Sequence, residues 1–261
     1  MDTRKFGSTD LSFAPVIFGG NVFGWTLDGK KSFSILDEFF AAGFSAIDTA
    51  NGYSHWVPGN QGGESETIIG QWMKSKNNRQ DVVLMTKVGG KYGDNLAINT
   101  SKEYILKEVE QSLKRLQTDY IDLYQTHYDD ENTPVEETLR AYEDLIKAGK
   151  VRYIGASNMT PKRLSESLAA AAENNLPQYI SLQPEYNLYS REKFENEFSA
   201  IALEHQLAVI PYYSLASGFL TGKYQDEADF NQSPRSTGVK NQYWNERGRR
   251  IITALKRCFG G

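Results

Sequence analysis

Seven short apolar runs, each followed by an amphipathic stretch, constrain this chain more than any other feature. The runs are Pro15–Phe18, Phe44–Ile47, Val82–Met85, Tyr120–Tyr124, Val151–Ile154, Tyr179–Leu182 and Leu207–Ile210. Their brevity and their β-branched or aromatic content suit strands buried on both faces. Their starts lie about 28 to 38 residues apart, the repeat of a strand followed by a returning helix. The intervening stretches carry helix signals. Phe33, Leu36 and Phe40 share a face, with Gly43 as the stop; Thr100 with Glu103 reads as a capping box; Thr133-Pro134 and Thr160-Pro161 open two further helices. Uninterrupted strand–helix alternation predicts a parallel sheet covered by helices, an α/β fold of the TIM (β/α)8-barrel type with seven strands present and the eighth strand and helix missing.

The remaining segments complete the plan. Arg4 to Phe13, with a Gly7-Ser8-Thr9-Asp10 turn, reads as a small hairpin. Residues 214–240 read as a long irregular loop of the size used for lids and clamps, and Asn241 to Arg257 as a final helix. Without a linker or repeat array, one domain over 1–261 is expected. With 29 Lys+Arg against 33 Asp+Glu the net charge is −4, which argues against the basic stripe of a nucleic-acid binder. No run approaches the roughly 18 apolar residues of a membrane span, and the first residues lack the apolar core of a secretory signal. A single cysteine, Cys258, excludes an internal disulfide and a cysteine-based metal cage. A soluble, cytoplasmic protein without a bound metal is therefore expected.

In a parallel barrel the reactive groups stand at the C-terminal ends of the strands. The runs end in Gly19-Gly20-Asn21, Asp48-Thr49-Ala50, Thr86-Lys87, Gln125-Thr126-His127, Ser157-Asn158, Gln183-Pro184-Glu185 and Tyr212-Tyr213-Ser214. Asp48, Tyr53, Lys87 and His127 thus fall on one rim. A phenol is a poor proton donor near neutrality, and an adjacent ammonium lowers its pKa. A carboxylate would keep a buried lysine charged, and a histidine could orient a substrate oxygen. Trp25, His55 and Trp56 lie in loops above this rim, where they could form an apolar pocket mouth or pack together.

These residues sit in stretches that resemble the aldo-keto reductases: Asp48-Thr49-Ala50-Asn51-Gly52-Tyr53, Met85-Thr86-Lys87-Val88-Gly89, Tyr120 to His127, Gly155-Ala156-Ser157-Asn158, Gln183 to Asn187, Pro211 to Leu215 and Gly218 to Tyr224. The likeness runs in order from about Arg4 to Arg257 and is greatest to the bacterial branch that includes potassium-channel β-subunits. The resemblance implies reduction of aldehydes or ketones by hydride from a nicotinamide cofactor, NADPH or alternatively NADH, with a small-molecule carbonyl as substrate. Tyr53 would be the general acid, Lys87 and Asp48 would lower its pKa, and His127 would orient the carbonyl. Ser157, Asn158 and Gln183 would hold the carboxamide and Tyr212 would stack on the ring. Ser214, Leu215, Ser217, Gly218 and Lys223 would clasp the pyrophosphate with help from Arg235, while Gly20, Asn21 and Asp48 approach from the first strands. The family pattern continues with an eighth strand and a further helix, so a truncated form is expected. A cofactor-binding, non-catalytic subunit on the same fold is the second reading; a Schiff-base aldolase using Lys87 is a third.

Overall fold

The computed structural model describes residues 2–93, 97–231 and 233–259. A hairpin of β1 (Arg4–Lys5) and β2 (Ser12–Phe13) precedes a seven-stranded sheet. The sheet comprises β3 (Ile17–Gly19), β4 (Ala46–Asp48), β5 (Val83–Val88), β6 (Ile121–Thr126), β7 (Val151–Ser157), β8 (Ser181–Gln183) and β9 (Ala208–Val209), in sequential order. The register pairs from β3 to β7 are all parallel. The helices are α1 (Gly29–Ala41), α2 (Glu64–Lys76), α3 (Lys102–Leu116), α4 (Val135–Lys147), α5 (Pro161–Asn174), α6 (Ser199–Glu204), α7 (Ser236–Tyr243) and α8 (Glu246–Phe259). The expected alternation is therefore present.

Three central strands outrun their apolar runs. β5, β6 and β7 continue through Lys87, Gln125 and Ser157, with Lys87 opposite Gln125 and Gln125 opposite Gly155 in the ladder. Polar side chains persist there because each backbone group still finds its ladder partner and the inward side chains find one another.

Two helix starts differ from the sequence reading. Ser101, not Thr100, caps α3 by accepting the Tyr104 amide at 3.4 Å, while the Thr100 amide donates to Asp130 Oδ2. Thr133 likewise turns its hydroxyl to Asp130 Oδ2 at 2.7 Å instead of capping α4. The buried Asp130 carboxylate draws both threonines into one loop anchor, and tertiary hydrogen bonding overrides the local capping pattern. At α5 the Thr160 hydroxyl accepts the Arg163 amide at 3.2 Å with Pro161 in the first turn, as the sequence indicates.

The chain divides into two compact units, Met1–Leu182 with His205–Ala208, and Gln183–Glu204 with Val209–Gly261. The first holds the central strands and α1 to α5. Its core is aliphatic with large aromatics, including Leu36, Ile47, Leu84, Leu123, Trp72 and Tyr142. Among the described residues, no helix is long and apolar enough to cross a membrane.

The second unit corrects the expectation of an irregular loop followed by one helix. Residues 216–221 form a tight turn kinked through left-handed backbone at Ser217 and Gly218, 227–231 form a tight helical turn, α7 begins at Ser236, and the chain breaks at Trp244–Asn245 before α8. The cause is an aromatic core of the unit's own, with Phe219 stacked on Tyr243 and Tyr224 stacked on Phe230, joined by Ala216, Val239 and Ile252. Asn245 starts α8 by accepting the Gly248 amide at 3.0 Å. A Cβ at Gly248 would stand 2.0 Å from the Tyr243 carbonyl oxygen, so only glycine permits this sharp turn.

Candidate active site

Within the first unit, Asp48 is the last residue of β4, Lys87 lies near the end of β5, and His127 follows β6 directly. The His127 amide extends the ladder by donating to the Val88 carbonyl at 2.8 Å. Tyr53 sits on the loop after β4, whose path is held by the Asn51 amide donating to the Lys87 carbonyl at 3.1 Å. Asn51 also donates its side-chain amide to Glu108 Oε2 at 2.9 Å. Strand ends and loop anchors thus bring the four expected residues to one place.

Lys87 is fully buried, and its ammonium makes three contacts. It donates to Asp48 Oδ2 at 2.5 Å, to the Thr49 carbonyl at 2.8 Å and to the Tyr53 hydroxyl at 3.4 Å. A buried ammonium survives only when so compensated. Burial acts to lower the Lys87 pKa, but the Asp48 carboxylate and the Tyr53 oxygen outweigh it, and the net shift is upward. Lys87 therefore stays charged.

The phenol departs from the expectation. Loss of water around the Tyr53 hydroxyl raises its pKa most. The Lys87 charge lowers it and the Asp48 charge raises it, and the result lies above the ordinary tyrosine value. The lysine offsets the cost of burial without reversing it, so Tyr53 stays protonated well into the alkaline range. His127 moves the other way: burial, then repulsion from Lys87 and His55, holds its pKa well below the ordinary histidine value, so the imidazole is neutral near pH 7.

Aromatic rings surround the phenol. His127 meets the Tyr53 ring edge-on at 5.8 Å and Trp56 does so at 5.6 Å; Trp56 in turn contacts Trp25 at 5.8 Å and His55 at 5.5 Å. Trp56 remains 41% exposed, so the cluster offers apolar surface beside the Tyr53 ring. Ser157 is buried at the end of β7, and Asn158 beyond it adopts a left-handed backbone with φ +46°, donating to the His127 carbonyl at 2.9 Å. Gly20 packs closely: a Cβ there would stand 2.9 Å from Ser65 Oγ, which itself donates to the Gly20 carbonyl. Asn21 lies in the same turn, half-buried.

In the second unit Gln183 is buried and Tyr212 half-buried. Ser214 donates its hydroxyl to the Pro211 carbonyl at 3.0 Å, and Leu215 is exposed. Ala216, Ser217 and Gly218 follow with three consecutive positive φ values, +49°, +55° and +94°. The Ala216 and Gly218 amides donate to the Tyr213 and Leu215 carbonyls at 2.6 and 2.9 Å, which closes the turn on itself. A Cβ on Gly218 would lie 3.2 Å from Lys223 Nζ, so the ammonium rests against this turn. Arg235 stands half-buried at the start of α7. Among the described residues there is no cluster of three or more His, Cys, Asp or Glu that could hold a metal.

The model of the aldo/keto reductase family matches residues 15–257. The chain belongs to the aldo/keto reductase family. It is 38% identical over 213 residues to the aldo-keto reductase YhdN of Bacillus subtilis, covering 81% of this chain but 60% of that protein, less than two thirds of its length. It is 36% identical over 265 residues to a probable voltage-gated potassium channel subunit beta of Oryza sativa, covering 100% of this chain and 77% of that one. Among solved structures it resembles the holo form of the aldo-keto reductase AKR11C1 from Bacillus halodurans, with a TM-score of 0.75 and 32% identity over 87% of this chain and 71% of that one. The parallel seven-stranded sheet with its helices thus matches the (β/α)8 fold of the aldo/keto reductases.

The sequence names Gln125 only as part of a run end, yet the fold brings it into this cluster. Gln125 donates its side-chain amide to Asp48 Oδ1 at 2.9 Å. A signal existed: Gln125 stands two residues before His127, and a strand period of two puts both on the same face.

Proposed function

We propose that this aldo/keto reductase reduces aldehyde or ketone carbonyls with a nicotinamide cofactor, with Tyr53 as the proton donor. The observation that carries this reading is the buried Lys87 ammonium shared between Asp48 and the Tyr53 hydroxyl. The donor sets fit such a cofactor. Lys223, resting against the left-handed turn at 216–218, offers a cation suited to a pyrophosphate, aided by Ser214, Leu215, Ser217, Gly218 and Arg235. In the first unit Ser157 and Asn158 supply hydroxyl and amide groups suited to a carboxamide, with Gly20, Asn21 and Asp48 as further candidate contacts; in the second unit Gln183 supplies an amide and Tyr212 a ring suited to stacking. NADPH is the favoured form, with NADH as the alternative. The cofactor supplies the hydride.

The chain's own residues supply the rest. Neutral His127 donates a hydrogen bond to the carbonyl oxygen and orients it. Tyr53 gives its proton to that oxygen as negative charge develops there. Lys87 stabilises the phenolate left behind, and Asp48 keeps Lys87 charged and fixed. Trp25, His55 and Trp56 exclude water from the reacting carbonyl and give the apolar part of the substrate a surface.

The test is oxidation of reduced cofactor in the presence of a reactive aldehyde, with Tyr53→Phe beside the parent protein. Loss of about a hundredfold or more in kcat is expected, since a positioned acid contributes about 10² to 10⁴ in rate. Equal rates would overturn the mechanism. Tight cofactor binding without turnover in the parent protein would favour a non-catalytic binding subunit.

A further inference from the structure

We propose that Gln125 is a positioning residue for proton donation, its side-chain amide fixing the Asp48 carboxylate so that Asp48 in turn aims the Lys87 ammonium at the Tyr53 hydroxyl. This rests on Tyr53 being the acid. Asp48 has two oxygens and two side-chain donors, one for each: Lys87 Nζ on Oδ2 and Gln125 Nε2 on Oδ1. With both filled, the carboxylate cannot rotate about its terminal bond without losing a buried hydrogen bond. The ammonium is in turn locked by its two shorter contacts, to Asp48 at 2.5 Å and to the Thr49 carbonyl at 2.8 Å, and its remaining donor points at Tyr53 at 3.4 Å. That longest contact is the one that any drift of Asp48 would loosen first.

The seat of Gln125 is built for this role. The side chain is fully buried, and its residue is the ladder partner of both Lys87 and Gly155. A Cβ at Gly155 would stand 3.2 Å from Gln125 Cγ and 2.4 Å from Ser181 Oγ, so the absence of a side chain there gives Gln125 its room. The choice of a neutral amide is specific. A hydrocarbon would leave Asp48 Oδ1 short of its donor. A carboxylate would place a second negative charge against Asp48 and compete for the single ammonium. The charged and titratable groups that face the Tyr53 hydroxyl or its ring are Asp48 from β4, Lys87 from β5, and His127 and Tyr128 after β6.

Two variants test the proposal. Gln125→Met keeps the length and bulk and removes the donor; Gln125→Glu keeps the length and adds a negative charge. Each is compared with the parent protein for kcat, aldehyde KM, the alkaline limb of kcat against pH, and reduced-cofactor affinity by fluorescence titration. In parallel, the Tyr53 ionisation is followed by NMR of isotope-labelled tyrosine, assigned by the signal lost in Tyr53→Phe. For Gln125→Met a fall in kcat of about tenfold is expected, the scale of a small misplacement in a reacting constellation. KM and cofactor affinity should stay within about twofold, and the Tyr53 titration should move to higher pH as Lys87 drifts from the phenol. Gln125→Glu should shift it further in the same direction. A Gln125→Met protein with the parent's kcat and the parent's Tyr53 titration overturns the proposal. Full activity in Tyr53→Phe would instead overturn the assignment of the acid, and the NMR titration would still report whether Gln125 governs the Tyr53 phenol.

Discussion

Two charged networks stand at opposite ends of the same strands in the first unit, and they are built differently. At the N-terminal ends, Asp122 of β6 accepts from Arg79 at 2.9 Å, from Arg152 at 2.8 Å and from the Leu84 amide at 2.9 Å. Arg152 also reaches Asp10, whose carboxylate receives the Tyr153 hydroxyl. At the C-terminal ends, Asp48 meets one ammonium and one amide, and that ammonium is shared with a phenol. The first network uses guanidinium groups, which hold a proton at every working pH and lock carboxylates through several bonds. The second uses groups whose proton affinities respond to one another. Rigidity without a mobile proton suits the stability face of such a sheet, and a carboxylate–ammonium–phenol chain suits the catalytic face.

Substitutions that strike one network and spare the other test this contrast. Lys87→Met should have the largest effect. It leaves Asp48 without its cation, lowering kcat by about a hundredfold or more and stability by about 3 to 5 kcal/mol, the cost of breaking a buried pair. Turnover and urea unfolding measured on the same preparation would check both. Asp122→Asn should cost about 2 kcal/mol in unfolding, because charge-assisted bonds are weakened and both arginines are partly exposed, while kcat per folded molecule stays within about twofold. An equal loss of kcat would break the division between the two ends. Trp56→Ala, at the exposed edge of the aromatic cluster, should raise aldehyde KM a few-fold with little change in kcat, as expected for uniform binding.

The smallest effect concerns pH. His127 binds its proton less readily in the folded chain than in the unfolded one. In that case the unfolded state holds more protons just below the ordinary histidine pKa, so this contribution to stability is complete above that pKa and declines as pH falls through it. His127→Asn should flatten the stability profile in that acidic window, read from unfolding midpoints across pH. The guanidinium network should add no slope there. An unchanged profile would remove His127 as the source.

Much of this was legible along the chain, for a physical reason. Asp48, Lys87 and His127 end apolar runs, and a strand end in a parallel sheet is a place in space as well as in sequence. Thr160 with Pro161 marked α5 because capping is decided within four residues. The failures share the opposite cause. Thr100 and Thr133 looked like caps until Asp130, remote from Thr100 in sequence, drew both. Residues 214–240 looked irregular because their order comes from stacked aromatic pairs such as Tyr224 with Phe230 and Phe219 with Tyr243, which no helical or strand period announces.

What the sequence by itself determined is the alternation of strands and helices and the identity of the residues on the rim, since both follow from local periodicity and chain direction. Only the tertiary structure decided the sign of the Tyr53 shift and the part played by Gln125. A pKa is a balance of burial against charges at particular distances, and those distances join residues from separate strands. Of the lysine and carboxylate that suggest an acidic phenol in the sequence, the folded chain lets only the lysine act that way: Lys87 offsets part of the burial, and Asp48 adds to it.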